Sequence, residues 1–109
     1  MGTSNNHYQL SKLLALLMRG DGSERNYSYV DKVANSSSTD MAMYYLREAL
    51  RDFMSMKESG RIKGDVEYGD VSREVESIAS IEDLRELRKI LSTIGSEAIS
   101  IYMSMGGTS

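Results

Sequence analysis

The sequence predicts a mainly α-helical fold, a compact bundle of about five helices, with one short segment of a different kind. Three observations lead there. Proline is absent from all 109 residues, so the residue that most often interrupts a helix is missing. Apolar side chains recur at spacings of three and four through most of the chain, which is the helical period. Glycine and short polar residues cluster at only a few places, and these cut the chain into helix-sized pieces. A chain of this length holds one core and buries roughly two-thirds of its extended surface, enough to fold without staples. The expectation is one helical domain over 1–109, with 1–5 and 106–109 as frayed ends.

The first helix is predicted over about Asn6 to Met18, with Tyr8, Leu10, Leu13, Leu14 and Leu17 as its apolar face and Gly20 as its stop. Gly20-Asp21-Gly22-Ser23 then reads as a turn. A short second helix, Tyr27 to Ala34, places Tyr27, Val30 and Ala34 on one side. Asn35 to Asp40 is rich in side chains that accept hydrogen bonds from free N–H groups, so it reads as a loop ending in an N-cap. The third helix starts there, with Met43, Leu46, Leu50, Phe53 and Met54 inward, and ends near Ser59 before Gly60. Met41 and Met56 lie off that stripe and are candidates for contact with another molecule.

Within 61–68 the alternation Ile62-Lys63-Gly64-Asp65-Val66-Glu67-Tyr68 is the pattern of a small hairpin or an ordered loop. Asp70 is placed to cap a fourth helix carrying Val71, Val75 and Ile78, and Ser80 with Asp83 resembles a capping box. The fifth helix is the most regular. Leu84, Leu87, Leu91, Ile94, Ala98, Ile101 and Met105 step by three and four without an error. Leu84, Leu87, Leu91 and Ile94 are expected to be buried against helices one and three. Gly95 costs that helix about 1 kcal/mol relative to alanine, so it either admits a close neighbour or marks a weak point.

Composition narrows the function. There are no cysteines, which removes disulfides, thiolate metal sites and thiol catalysis and suits a reducing, cytoplasmic setting. The longest apolar run, Leu13 to Met18, falls far short of the ~20 residues that span a bilayer. Leu10 to Met18 lacks the basic flank and cleavage site of a secretory signal. Thirteen basic and sixteen acidic side chains give a net charge of −3, unlike a uniformly basic coat for nucleic acid. The charge is divided, however. Residues 1–64 hold nine basic and seven acidic side chains, whereas 65–109 hold four and nine, so contact with a polyanion is expected from the first half.

No catalytic residues are predicted. His7, the single histidine, has no carboxylate or hydroxyl close in sequence to activate, and Ser36, Ser37 and Ser38 lack a nucleophile elbow and suit capping better. Asp65, Glu67 and Asp70 lack calcium-loop spacing, so no metal is expected, and no phosphate-binding glycine loop occurs. No cofactor is implied. One constellation has a specific physical use: Lys32, Arg47, Arg51, Lys57, Arg61 and Lys63. Arginine forks match phosphate geometry, and Arg47 and Arg51, one turn apart, suit successive phosphates. The neighbouring Glu48, Asp52 and Glu58 are what an ordinary solvated face would also show. Tyr27, Tyr29, Tyr44 and Tyr45 offer rings for base stacking or for burial.

Tyr29-Val30-Asp31-Lys32-Val33-Ala34-Asn35, followed by Leu46-Arg47-Glu48-Ala49-Leu50-Arg51-Asp52-Phe53, resembles the small subunit of archaeal type I-A CRISPR surveillance (Cascade) complexes. The similarity extends to the helix after Ser80. The resemblance implies a small helical, non-catalytic subunit that lines up along a guide-RNA complex and helps stabilise the opened target DNA. Its partners would be the other subunits, guide RNA or target DNA, and further copies of itself. Two other readings stand beside it. Three helices followed by a hairpin is the order of a winged-helix DNA-binding regulator. The regular stripe from Leu84 to Met105 suits a virus- or plasmid-encoded helical protein that dimerises through its last helix.

Overall fold

A computed structural model describes residues 7–20 and 28–105, and these described residues fold into five helices in the predicted order: α1 Tyr8–Arg19, α2 Ser28–Ala34, α3 Thr39–Glu58, α4 Tyr68–Ala79 and α5 Leu84–Ser104. The predicted frayed ends, the turn residues at 21–23 and Tyr27 lie outside the described residues. Among the described residues there is no strand, and no helix is long and apolar enough to cross a membrane.

The segment Leu10 to Met18 is apolar on nearly every side, and a helix of that kind is stable only when covered all round. Accordingly α1 packs against each of the other four helices. Leu10, Leu13 to Met18 and even Ser11 are buried, so the predicted single face understates its burial. Tyr8 departs the other way: it is 48% exposed and contributes little to the core. Gly20 ends the helix, its N–H bonded to the Leu16 carbonyl at 2.9 Å.

Burying α1 also half-buries His7 and Gln9 at its polar start. His7 occupies the capping position but makes no side-chain cap. The acceptor comes from α4 instead, where Glu74 Oε1 takes the Leu10 N–H at 2.8 Å and the same carboxylate takes the Gln9 N–H. The service is returned, because the Gln9 side-chain oxygen accepts the Glu67 N–H at 3.0 Å where α4 begins. Ser11 donates to Glu97 Oε1 of α5 at 2.9 Å. Burial pushes the Glu74 carboxyl above its ordinary value, although its bonds to Leu10 and Gln9 pull the other way. His7 is pushed below its ordinary value by burial, which outweighs the opposing pull of Glu97.

α5 lies mainly on α1 and α2, and not on α1 and α3 as the stripe predicted. Gly95 explains the difference. A Cβ there would sit 3.6 Å from Val30 Cγ1 and 3.7 Å from Ala34 Cβ, so the short α2 lies close along α5 at this point. Leu87, Leu91 and Ile94 are buried as predicted but Leu84 is 43% exposed against the prediction; further along the stripe Ala98 is buried and Ile101 and Met105 are half-buried. Tyr102, outside the predicted stripe, is buried beside them.

On α3 the buried side is Ala42, Met43, Leu46, Ala49 and Phe53. Leu50 is half-buried, Met54 is exposed and not inward as predicted, and Met56 packs on the core and is not a free contact residue. The N-cap expected from the 35–40 loop is supplied by Ser38, whose hydroxyl accepts the Met41 N–H at 3.1 Å. The stretch 61–67 is the ordered loop and not the hairpin, because Ile62 and Val66 both bury while no second strand runs beside them. Gly64 is required there: its φ is +112°, and a Cβ would meet Leu16 Cδ2 at 3.0 Å. Two capping assignments also change. Asp70 lies inside the first turn of α4 without capping it, and Asp83 caps α5 itself through the Arg85 N–H at 2.9 Å, while Ser80 bonds back to Ser77.

Three outcomes follow from this packing. Leu91→Ala should cost about 2–5 kcal/mol in denaturant unfolding, with a midpoint independent of protein concentration; a midpoint that rises with concentration would put the stripe in an intermolecular seam. Gly95→Ala should stabilise by up to about 1 kcal/mol, since the added methyl makes ordinary contacts while the helix gains propensity. Lastly, because His7 is held below 6.5 in the folded chain, the unfolded chain takes up that proton first, and stability is lost as pH falls through 6.5. Glu74 has the opposite sign, its raised value stabilising as pH falls. The stability difference between wild type and His7→Gln across pH 5 to 8 isolates the histidine: a pH-independent difference would contradict its burial.

Candidate nucleic-acid interface

The side of α3 turned from the core carries Asp40, Tyr44, Arg47, Glu48 and Arg51. With Thr39, Met43 and Ala79 from the end of α4, they line an open depression. Thr39 ties the two helices at this edge by donating to the Ile81 carbonyl at 3.1 Å. Arg47 and Arg51 are exposed, as their spacing predicted. Arg51 Nη1 stands 3.9 Å from Glu48 Oε2, a loose surface pair of the kind that contributes at most ~1 kcal/mol. Arg47 has no ion-pair partner among the described residues.

The remaining predicted cations do not join this surface. Lys32 lies on the α2 side of α3, its Nζ 5.9 Å from the centre of the Tyr29 ring and 5.8 Å from that of Tyr45. Both are cation–π distances. The Tyr29 hydroxyl donates to Asp52, and burial together with that bond raises its pKa well above the ordinary tyrosine value. Lys32, Tyr29, Tyr45 and Asp52 therefore fasten α2 to α3. Lys57 is half-buried and donates to the Gly64 carbonyl at 2.7 Å, holding the 61–67 loop. Arg61 and Lys63 are exposed on that loop.

The four tyrosines separate in the same way. Tyr29 and Tyr45 are half-buried, and Tyr27 lies outside the described residues, whereas Tyr44 is 59% exposed. Its ring meets Tyr45 edge-on, with centroids 5.4 Å apart and planes at 67°. The signal for this was present in the sequence, because Tyr44 is off the Met43, Leu46, Phe53 stripe while Tyr45 faces α2. Met41, the other off-stripe candidate, is exposed nearby.

Elsewhere, one nucleophile lies beside one base. His7 Nε2 is 3.3 Å from Ser77 Oγ, but the Ser77 hydroxyl proton is committed to the Glu74 carbonyl at 2.9 Å. The histidine is then the donor of the pair and does not activate the serine. His7 stands between two shallow depressions, one reaching Asp70 and Arg73 and the other Arg85 and Lys89. Ser36, Ser37 and Ser38 serve the α2–α3 turn, with Ser36 donating to the Lys32 carbonyl at 2.8 Å. Of the acidic trio, Asp65 accepts its neighbour Val66's N–H and Asp70 pairs with Arg73. No group of three His, Cys, Asp or Glu side chains among the described residues is arranged to hold a metal ion.

No family model matches the chain, and no solved structure matches it. An uncharacterized protein of the archaeon Archaeoglobus fulgidus is 34% identical over 117 aligned positions, which take in all of this chain and 98% of the relative. Identity at that level from end to end means a shared core and a shared arrangement of helices. The chain belongs to the same family as this Archaeoglobus protein.

Proposed function

We propose that the protein is a non-catalytic small subunit of a CRISPR RNA-guided DNA surveillance complex, working in the cytoplasm to steady the opened target DNA and the assembly around it. The observation that carries this reading is the pairing of the two segments that resemble such subunits. Residues 29–34 lie in α2, with Asn35 just past its end, and residues 46–53 form the middle of α3; the two are fastened together through Lys32, Tyr45, Tyr29 and Asp52. The resemblance thus falls on one substructure and not on two scattered pieces. The Archaeoglobus relative is archaeal, as are the complexes resembled.

The physical demands of that role are modest. Exchanging a DNA duplex for a guide–target heteroduplex is nearly balanced, so small protein contacts to the backbone or the displaced strand can tip it. A surface of two arginines among carboxylates suits this better than autonomous tight binding. The rival readings each lack a part. A winged helix needs a paired-strand wing, and 61–67 runs unpaired. Dimerisation through the last helix needs Leu87, Leu91, Ile94 and Ala98 free, and they are buried within the chain.

The test is charge reversal in a reconstituted guide complex. Arg47→Glu with Arg51→Glu should fold normally, both side chains being exposed, enter the complex, and weaken its retention of target DNA. Free wild-type protein should bind DNA only in the non-specific range of ~10⁻⁴ to 10⁻⁶ M and release it as salt rises. Undiminished retention by the double variant would remove this surface from the role. Failure of the wild-type chain to enter any guide-RNA complex would remove the role itself.

A further inference from the structure

We infer that Tyr44 is a stacking platform for one unpaired base of a single nucleic-acid strand, with Arg47 and Arg51 holding the phosphates that follow it. The inference rests on the nucleic-acid reading of the α3 surface and deepens it, since it specifies the strand state that this surface takes. Three features of the depression combine. Tyr44 is 59% exposed, whereas the Tyr45 ring beside it is half-buried under Lys32. Its edge-on contact with Tyr45 at 5.4 Å braces the ring, and a side chain already restrained loses less freedom when a ligand binds. Arg47 and Arg51 line the same depression. At ~1.5 Å per residue they lie about 4.5 Å and 10.5 Å further along the helix axis than Tyr44, on one side of it.

The chemistry favours an unpaired strand. In a duplex the faces of the bases are already stacked on each other, so a ring on the outside of a helix meets only edges and phosphates. A single strand offers a free face at every base, and an aromatic ring takes it without regard to sequence. Asp40 and Glu48 in the same depression weaken its field. Asp40, though, sits in the first turn of α3, where the free N–H groups offset its charge, and Glu48 is only loosely held to Arg51. The phosphate grip is therefore weak, and stacking is what separates a strand with bases from a bare polyanion. Tyr8 is also exposed, and the cation one turn on from it, Lys12, is half-buried. It makes an internal control.

The experiment is equilibrium binding of the pure protein at low salt to a fluorescent oligo-dT, to the same oligonucleotide with abasic sites, and to a duplex of equal length. Wild type should prefer oligo-dT over the abasic strand. Tyr44→Ala should weaken oligo-dT binding about tenfold, equivalent to ~1.4 kcal/mol, and leave abasic and duplex binding unchanged. Tyr44→Phe and Tyr8→Ala should behave as wild type. Arg47→Gln and Arg51→Gln should each weaken all three ligands alike and lower the salt slope by about one. Equal wild-type affinity for oligo-dT and the abasic strand, an unchanged affinity of Tyr44→Ala for oligo-dT, or no binding to any of the three would overturn the inference. Its fate is separable from that of the subunit reading. A Tyr44-dependent preference in a protein that joins no guide complex upholds stacking and removes the assembly, whereas entry into the complex with an inert Tyr44 does the reverse.

Discussion

The structure depends on enclosing one helix. α1 has aliphatic side chains on nearly every side from Leu10 to Met18 and is covered by all four other helices. The start of such a helix is partly buried with it, and its first N–H groups cost free energy where they are left without acceptors. No residue within α1 or at its cap supplies them. Glu74, brought in by α4, answers the Leu10 N–H, and Gln9 of α1 answers the N–H of Glu67 at the start of α4. The two helices can satisfy their ends only in one register. This makes the junction a determinant of topology as well as of stability. It also places two half-buried carboxylates, Glu74 and Glu97, around the positive end of a helix, where its dipole favours them.

Once α1 is the axis, the other helices have little freedom. α5 lies along it through Leu87, Leu91, Ile94 and Ala98, and Ser11 to Glu97 fixes the register. α2 is too short to bury much by itself, so it depends on approaching α5 closely at Gly95 and on being fastened to α3 by the Lys32 cluster. α3 then packs on α1, α2 and α4 with one side only. Its outer side, with Tyr44, Arg47 and Arg51, is exposed. The candidate interface is thus a by-product of which helix took the centre.

Periodicity was enough to read the five helices and the α5 stripe, because spacings of three and four map directly onto a buried side. It could not reveal that α1 is enclosed. Five of its residues fitted one face, and the burial of Ala15, Leu16 and Met18 opposite or beside that face was visible only as an uninterrupted apolar run. The alternation within 61–68 was misleading in part: Ile62 and Val66 do anchor inward, but alternation alone does not supply a partner strand. Asp83 was seen near a helix start but assigned the wrong part, since Ser80 and Asp83 are equally good capping types. At the surface, the one-turn spacing of Arg47 and Arg51 was legible and correct as to exposure. The commitments of Lys32 to two rings and of Lys57 to the Gly64 carbonyl were not, because both partners are set by tertiary packing. Grouping six cations by sequence therefore joined residues with structural duties to residues free to meet a ligand.

That separation bears on how so small and acidic a chain would serve a polyanion in the proposed role. If all six cations lined one groove, the chain would bind nucleic acid by itself and indiscriminately, since each phosphate neutralised strengthens binding at low salt. With Lys32 against two rings on the α2 side and Lys57 on the Gly64 carbonyl, the depression on α3 holds Arg47 and Arg51 against Asp40 and Glu48 and is left near neutrality. A near-neutral surface holds a strand only when something else raises its local concentration, and membership of an assembly does this by converting a weak bimolecular contact into an intramolecular one. Weak intrinsic affinity is then compatible with the role, because a subunit that gripped any passing strand would compete with the guide for control of where the complex settles. In the proposed role, what remains for α3 to add is discrimination between paired and opened DNA. A projecting aromatic ring can supply that where charge cannot, since a duplex and a single strand both present phosphates but only the latter presents the face of a base.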